Sequence, residues 1–392
     1  MGEVRGLTGD EAVAYAVKQC DVDVVSAYPI TPQTIIVERF SEYVANGEVK
    51  TEFICVESEH SAMSACIGAS LTGARTFTAT CSQGLALMHE MLYIASSLRL
   101  PIVMAVANRA LSAPLNIHGD HSDMMGSRDC GWVQIYAENV QEVYDWIIQA
   151  FRLAEDPELS MPVAVNLDGF TITHCMEGVE VLDDETVAKF LPPRKPLYTL
   201  DPSKPITVGA WATPEYYMDL KRQEAFALES AKGKLLEVTR EYARFSGRKY
   251  GILESYGMED AEAAVLCLGS TAGTVRAMAK ELRAKGEKVG TVKLWLYRPF
   301  PMEELIEALR GVKALVVMDK ACSFGAPYGP LCSDVLATFQ RFGLRIPTMN
   351  AIYGLGGRDV RPMDLSFIFN EALKIAKTGE VSKPMIFLGV RE

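Results

Sequence analysis

Short strand-like apolar runs alternate with helix-length stretches along most of this chain, and that alternation limits the fold more than any other feature. In the first 170 residues, strands are expected at Asp21–Ala27, Thr51–Val56, Arg75–Ala79, Ile102–Ala107 and Met161–Leu167. Helical patterns fill the intervals at Thr34–Ala45, Glu59–Leu71, Gly84–Ser97 and Val140–Ala154, with a long loop running through Asp129. This order implies a parallel sheet covered on both faces, joined by right-handed crossovers. A second unit of the same kind starts near Ala261. Its strands are expected at Ala263–Leu268, Lys288–Leu294, Ala314–Met318 and Thr348–Tyr353, and its helices at Thr274–Lys285, Met302–Leu309, Leu331–Phe342 and Leu365–Lys377. Between the units lie two proline-rich connections, from Leu191 and from Leu200, and a long helical stretch at about Met218–Phe245. That helix packs across the surface or bridges to a partner chain. The fold class is therefore α/β with two doubly wound domains. The first spans 1–255, including the linker and helical segment at about 180–255, and the second spans 256–392. No sequence repeat links the halves.

Composition narrows the function classes. With 392 residues and 49% of them hydrophobic, the chain can bury two cores. No apolar run reaches bilayer length and the first residues lack a signal peptide's apolar segment, so a soluble, cytoplasmic chain with no membrane association is expected. A net charge of −11 argues against a nucleic-acid surface. Nine cysteines, an odd number with no Cys-x-x-Cys pair, disfavour a disulfide framework, a zinc site and a locally coded iron–sulfur site.

Candidate chemistry gathers at strand-to-helix junctions. Tyr28-Pro-Ile-Thr31-Pro ends the first strand with two prolines, so Thr31 presents its hydroxyl from a stiff turn where open α/β sheets bind ligands. Glu59 opens a helix rich in small residues. It reads as a buried proton-handling acid or as a first-turn cap together with Glu57, and on local grounds the cap is favoured. In Thr80-Cys-Ser-Gln-Gly84, Ser82 suits a helix cap, Gly84 permits close backbone approach, and free N–H groups there suit an anionic group. Arg109 follows an apolar strand with a fixed charge that needs a carboxylate, from a substrate or from a structural ion pair. His118, Asp120, His121 and Asp123 resemble metal ligands, but four candidates within six residues of one loop converge poorly, and a hydrogen-bonded loop lining a site is favoured. Gly354-Leu-Gly-Gly-Arg-Asp359 lacks the dinucleotide spacing and reads as a turn near an interface. Gly269-Ser-Thr-Ala-Gly273 reads as a strand–turn–helix joint.

Tyr28-Pro-Ile-Thr31-Pro, Glu57-Ser-Glu59-His, Thr80-Cys-Ser-Gln-Gly-Leu, Asn108-Arg109-Ala-Leu-Ser-Ala-Pro, Asp120-His-Ser-Asp123, Arg298-Pro-Phe-Pro and Gly354-Leu-Gly-Gly-Arg-Asp occur in this order. As an ordered set covering nearly the whole length, they resemble the alpha subunits of pyruvate:ferredoxin oxidoreductases (pyruvate synthases), within the 2-oxoacid:ferredoxin oxidoreductase family. The resemblance implies a thiamine-diphosphate pyrimidine-binding domain followed by a transketolase-C-terminal-like domain. It also implies coenzyme A-dependent, reversible oxidative decarboxylation of pyruvate, with electrons passed to ferredoxin. By the same resemblance Glu59 hydrogen-bonds the aminopyrimidine and so promotes loss of the thiazolium proton, with Pro29, Ile30, Ser82 and Gln83 also on the cofactor. Thr31 and Arg109 contact the substrate carboxylate and carbonyl. No metal is expected on this chain. A beta subunit would supply the diphosphate–magnesium site and an iron–sulfur cluster, gamma- and delta-type subunits further clusters, and coenzyme A would enter as a substrate. Alternatives within the chemistry are 2-oxoisovalerate, 2-oxoglutarate or oxalate as substrate. Outside it stand a nicotinamide-dependent oxidoreductase, disfavoured by the glycine spacing, and a non-catalytic scaffold subunit.

Overall fold

The computed structural model describes residues 2–391. Its strands are β1 (Glu3–Thr8), β2 (Val24–Ala27), β3 (Glu52–Cys55), β4 (Thr76–Thr80), β5 (Ile102–Asn108), β6 (Val133–Tyr136), β7 (Val163–Asp168), β8 (Met176–Val181), β9 (Leu253–Tyr256), β10 (Ala263–Leu268), β11 (Val289–Leu294), β12 (Leu296–Arg298), β13 (Ala314–Asp319), β14 (Thr348–Ile352) and β15 (Met385–Phe387). A seven-stranded sheet has the order β12-β6-β7-β5-β4-β2-β3, and a six-stranded sheet the order β15-β14-β13-β10-β11-β9. In the first, β2 pairs in parallel with both β3 and β4, so the chain leaves β2 toward one side and returns on the other. The gap between β2 and β4 is thus a topological switch point, the place where open α/β sheets hold ligands.

The helices of the first unit are α1 (Gly9–Gln19), α2 (Thr34–Ala45), α3 (Glu59–Leu71), α4 (Ser82–Leu87), α5 (His89–Ser97), α6 (Ser122–Gly126), α7 (Val140–Ala154), α8 (Asp184–Phe190) and α9 (Pro214–Ser246). Strands β4, β5 and β7 are buried on both faces because helices cover both sides. One face packs against α1 and α7 through Val13, Trp146 and Phe151, the other against α3 and α5 through Met63, Leu92 and Met104. Small residues at Ala62 and Cys66 let α3 lie close over its sheet. In the second unit, α10 (Thr271–Ala284), α11 (Met302–Ala308), α12 (Pro330–Phe342) and α13 (Pro362–Thr378) flank the six strands, giving one core on each face.

Several elements differ from the sequence expectation. The helix expected at Gly84–Ser97 breaks at Met88 into α4 and α5. β6 was not anticipated. It is four residues long and buried on both faces, so it carries no alternating signal. Strands β1 and β8 pair antiparallel as a separate ribbon, a contact between distant segments that no local pattern encodes. The boundary expected at 255/256 runs through β9, which pairs antiparallel with β11 in the second sheet. After β11 the chain crosses over, and β12 adds to the first sheet beside β6. Helix α9 runs 33 residues, about 50 Å at the helical rise, and stops at Gly247 with φ +73°. Its later half buries Ala231, Leu235 and Tyr242 on the first unit, while Tyr216, Met218 and Phe226 near its start are exposed.

A buried polar network joins the units. Asp168, at the end of β7, accepts from His121 Nε2 at 2.5 Å, from Ser270 N–H at 3.0 Å and from the Ser270 hydroxyl, and pairs with Lys320 Nζ at 3.2 Å. Burial opposes ionisation of this carboxyl, but Lys320 and His121 more than offset it and hold it well below the usual carboxylate range. Lys293 reaches across from β11 to Glu138 and Glu142 at 2.6 and 2.8 Å.

Candidate active site

The turns after β2 and β4 face each other across the switch point. Gln33 locks them together. Its Oε1 accepts from Ile30 N–H at 3.2 Å, and its Nε2 donates to the Ala79 carbonyl at 2.8 Å. Pro29 and Thr31 stand exposed on this turn and Ile30 is half-buried. Cys81 Sγ lies 3.1 Å from the Thr31 carbonyl, and burial pushes this thiol up, so it stays protonated.

Glu59 lies at the start of α3 and is 5% exposed. The capping role is taken by Ser58, whose hydroxyl accepts from Ser61 N–H at 3.2 Å, while the Ser61 hydroxyl donates to Glu57. Glu59 is therefore not the cap. Among the described residues none donates a hydrogen bond to its carboxylate and no cation pairs with it. What crowds it is backbone. A methyl group in place of the Gly84 hydrogen would stand 2.4 Å from Glu59 Oε1 and 2.6 Å from Thr80 Oγ1. The Thr80 hydroxyl is itself buried without a partner. A buried hydroxyl left unpaired costs about 1–3 kcal/mol, so a ligand reaching this point would find a vacant polar partner in Thr80 beside the Glu59 carboxylate. The lone carboxylate, the orphan hydroxyl and the glycine wall fit a flat nitrogen heterocycle that offers donors to Glu59.

Arg109 follows β5 and is also buried. Its Nε donates to the Asn116 carbonyl and its Nη1 to the Thr31 carbonyl, both at 2.9 Å. No carboxylate pairs with it among the described residues, so the structural ion pair weighed for it is not formed. Two backbone carbonyls aim the guanidinium at the Thr31 turn and leave its charge uncompensated. Arg109, Thr31 and Glu59 thus belong to adjoining turns on one edge of the sheet.

Ser82 departs from expectation. The cap position of α4 is Cys81, and Ser82 adopts φ +47°. Its N–H donates to Asp123 Oδ2 at 2.9 Å and its hydroxyl to the Ala110 carbonyl at 2.6 Å. The N–H expected to be free for an anion is therefore committed within the chain, and Ser82 holds the turn together. Gln83 is half-buried, and its side-chain amide lies 2.6 Å from the Ser82 hydroxyl oxygen, whose one proton goes to the Ala110 carbonyl.

The loop with metal-like spacing turns its side chains apart. His118 stacks near Phe170, Asp120 accepts from Gly356 N–H at 2.9 Å, His121 binds Asp168, and Asp123 collects N–H donors. Asn116 Nδ2 also donates to the Gly356 carbonyl at 3.0 Å, so the Gly354–Asp359 turn clasps this loop at the interface of the two units. No local pattern marks Gln33 or the clamping role of Asp123. Each joins separate segments through a distant partner, Ala79 for Gln33 and Ser82 for Asp123, and only the prolines at 29 and 32 hint at a rigid joint.

Residues 15–240 match the thiamine-diphosphate-binding domain of pyruvate flavodoxin/ferredoxin oxidoreductases, and 261–365 match core domain II of pyruvate:ferredoxin oxidoreductase. The pyruvate synthase subunit PorA of Thermotoga maritima is 50% identical over 387 residues, which is 98% of each chain. The chain belongs to the pyruvate:ferredoxin oxidoreductase family. Within that family it is also 46% identical to the ketoisovalerate oxidoreductase subunit VorA of Pyrococcus abyssi, over 96% of this chain and 95% of the relative. A 2-oxoglutarate:ferredoxin oxidoreductase from Magnetococcus marinus shares the fold, with a TM-score of 0.74 at 20% identity. That match covers 96% of this chain and 66% of the other. The two-unit architecture is accordingly that of a thiamine-diphosphate-binding domain followed by a transketolase-C-terminal-like domain. No described helix is long and apolar enough to cross a membrane.

Proposed function

We propose that this chain is the alpha-type subunit of a pyruvate:ferredoxin oxidoreductase and supplies the pyrimidine side of a thiamine diphosphate site. The observation that carries the reading is the buried Glu59 carboxylate, unpaired and walled by Gly84. When bound, the coenzyme supplies a carbon nucleophile and an electron sink for a 2-oxoacid. Glu59 would hydrogen-bond the aminopyrimidine ring, and the proton shared in that bond is the one whose placement on the ring favours the imino form. Pro29, Ile30 and the Gln83 amide line the ring. Ser82 acts on it only by shaping the turn. Arg109 and the Thr31 hydroxyl orient the substrate carboxylate and carbonyl. Arg109 binds a charge that leaves as carbon dioxide, so it must not hold the ground state more tightly than the transition state. The overall conversion is pyruvate and coenzyme A to acetyl-CoA and carbon dioxide, with two electrons passing singly to ferredoxin.

The reading makes the chain half of a site. Tyr28, Leu111, Leu115 and Ile117 are exposed apolar residues around the Thr31–Arg109 mouth, Leu115 at 76%. A beta subunit covering this face would bring the diphosphate–magnesium contacts and an iron–sulfur cluster, with gamma- and delta-type subunits carrying further clusters. Cytoplasmic location goes with this reading. The test is turnover of the purified complex. Pyruvate- and coenzyme A-dependent ferredoxin reduction should be lost in Glu59→Gln, whereas full activity in that variant returns the chain to a scaffold role. A second substrate, 2-oxoisovalerate, merits the same assay because the ketoisovalerate relative is about as similar as several pyruvate synthase subunits. A higher kcat/KM for the branched acid, for 2-oxoglutarate or for oxalate would reject pyruvate.

A further inference from the structure

Four N–H donors converge on one buried carboxylate set between the two turns that carry the proposed site. Asp123 is 3% exposed. Its Oδ2 accepts from Ser82 N–H and from Arg109 N–H, both at 2.9 Å. Its Oδ1 accepts from Asn108 Nδ2 at 3.0 Å and from Met124 N–H at 2.7 Å. No cation pairs with it among the described residues, so N–H dipoles alone compensate its charge.

The two partners of Oδ2 lead to opposite sides of the site. Ser82 sits at φ +47°, a left-handed conformation that is strained for a serine and persists only where its surroundings over-determine it. Asp123 on its N–H and the Ala110 carbonyl on its hydroxyl do so. Two residues further on, the Gly84 backbone presses on the Glu59 carboxylate. From the other donor the Arg109 side chain starts out toward the Thr31 carbonyl.

We propose that Asp123 is a positioning residue coupling the two halves of the site: one carboxylate oxygen holds both the left-handed Ser82 turn that seats Gly84 on Glu59 and the main chain from which Arg109 reaches the substrate. The inference rests on the thiamine reading above. The geometry asks for a carboxylate. An asparagine offers a single acceptor oxygen and turns two N–H donors toward two of the four donors already there.

The test compares the wild-type complex with Asp123→Asn, and with Asp123→Asn combined with Ser82→Gly. It reads kcat, KM for pyruvate, the near-ultraviolet circular-dichroism band of the bound imino tautomer, and the melting temperature. Asp123→Asn should lower kcat by about 10- to 100-fold, weaken the imino band and raise KM. Glycine adopts the left-handed turn unaided, so adding Ser82→Gly should recover part of the band and of kcat. KM should stay high, because Arg109 N–H still faces an amide. The inference is overturned if Asp123→Asn keeps wild-type kcat, KM and band, if activity is lost only in step with the melted fraction, or if the second substitution restores KM as fully as the band. If Asp123→Asn does not assemble, Asp123→Glu keeps the charge with one more methylene and should show lowered kcat and raised KM; wild-type values there overturn the inference equally. A wild-type complex that turns over pyruvate without any imino band counts against the Glu59 reading itself. A normal wild-type band with an indifferent Asp123→Asn counts against Asp123 alone.

Discussion

Glu59 and Asp168 are buried acids on the same edge of the same sheet, and the protein treats them in opposite ways. Asp168 has a lysine, a histidine and a serine around it, and those partners come from both structural units. Glu59 has none among the described residues and leans on a glycine. The first arrangement ties the two units together, since the Asp168 charge at the seam is matched by Lys320 and by donors from His121 and Ser270. The second leaves the Glu59 carboxylate without a partner among the described residues, available to donors from a ligand. Two carboxylates of similar burial thus differ in their partners: one sits in a structural joint, and the other is the acid to which the proposed coenzyme contact is assigned.

The contrast can be broken most decisively at Glu59 itself. Glu59→Gln should cut turnover of the complex by several orders of magnitude with no loss of melting temperature, as measured by ferredoxin reduction and thermal denaturation. Asp168→Asn should do the reverse. It strands Lys320 and His121 in the interior and should cost about 3–5 kcal/mol by urea unfolding, with turnover per folded complex much less affected. A smaller effect is expected at the glycine wall. Gly84→Ala drives a methyl into the Glu59 carboxyl and should lower kcat about 100-fold, the scale of an ångström-sized displacement at a reacting centre. Arg109→Lys keeps the charge but loses the fork that spans two carbonyls, and should raise KM for pyruvate about tenfold in steady-state assays. The least effect is one of pH. The folded Asp168 carboxyl lies below its unfolded value, so its stabilisation is full above about pH 4 and is lost as pH falls through the window beneath. Urea midpoints should therefore drop more steeply with acid in the wild type than in Asp168→Asn.

How far sequence reasoning carried can be followed through individual residues. The prolines at 29 and 32, the strand ends expected at Ala27, Val56 and Ala107, and the small residues of α3 are local facts, and they put Thr31, Glu59 and Arg109 just after strands; the parallel sheet brings those strand ends to one edge. Local pattern favours a cap over an acid at Glu59. Ser58 overturns that, by filling the cap one residue earlier. The loop at 118–123 looked like ligands because its residue types suit a metal; folded, each side chain finds a different partner in a different part of the protein. Ser82 suits a cap by residue type, but its left-handed backbone goes with a hydrogen bond to Asp123, 41 residues away.

By itself the sequence determined the alternation of strands and helices, because periodicity and turn residues act over a few neighbours, and it determined the ordered motifs that mark the family. The tertiary structure alone decided which buried charges are matched. It also decided that β12 crosses into the first sheet, and that Gly84 comes to lie against Glu59. Those outcomes depend on groups brought together from distant points of the chain, where pairing energy is set by positions in space and not by order along the backbone.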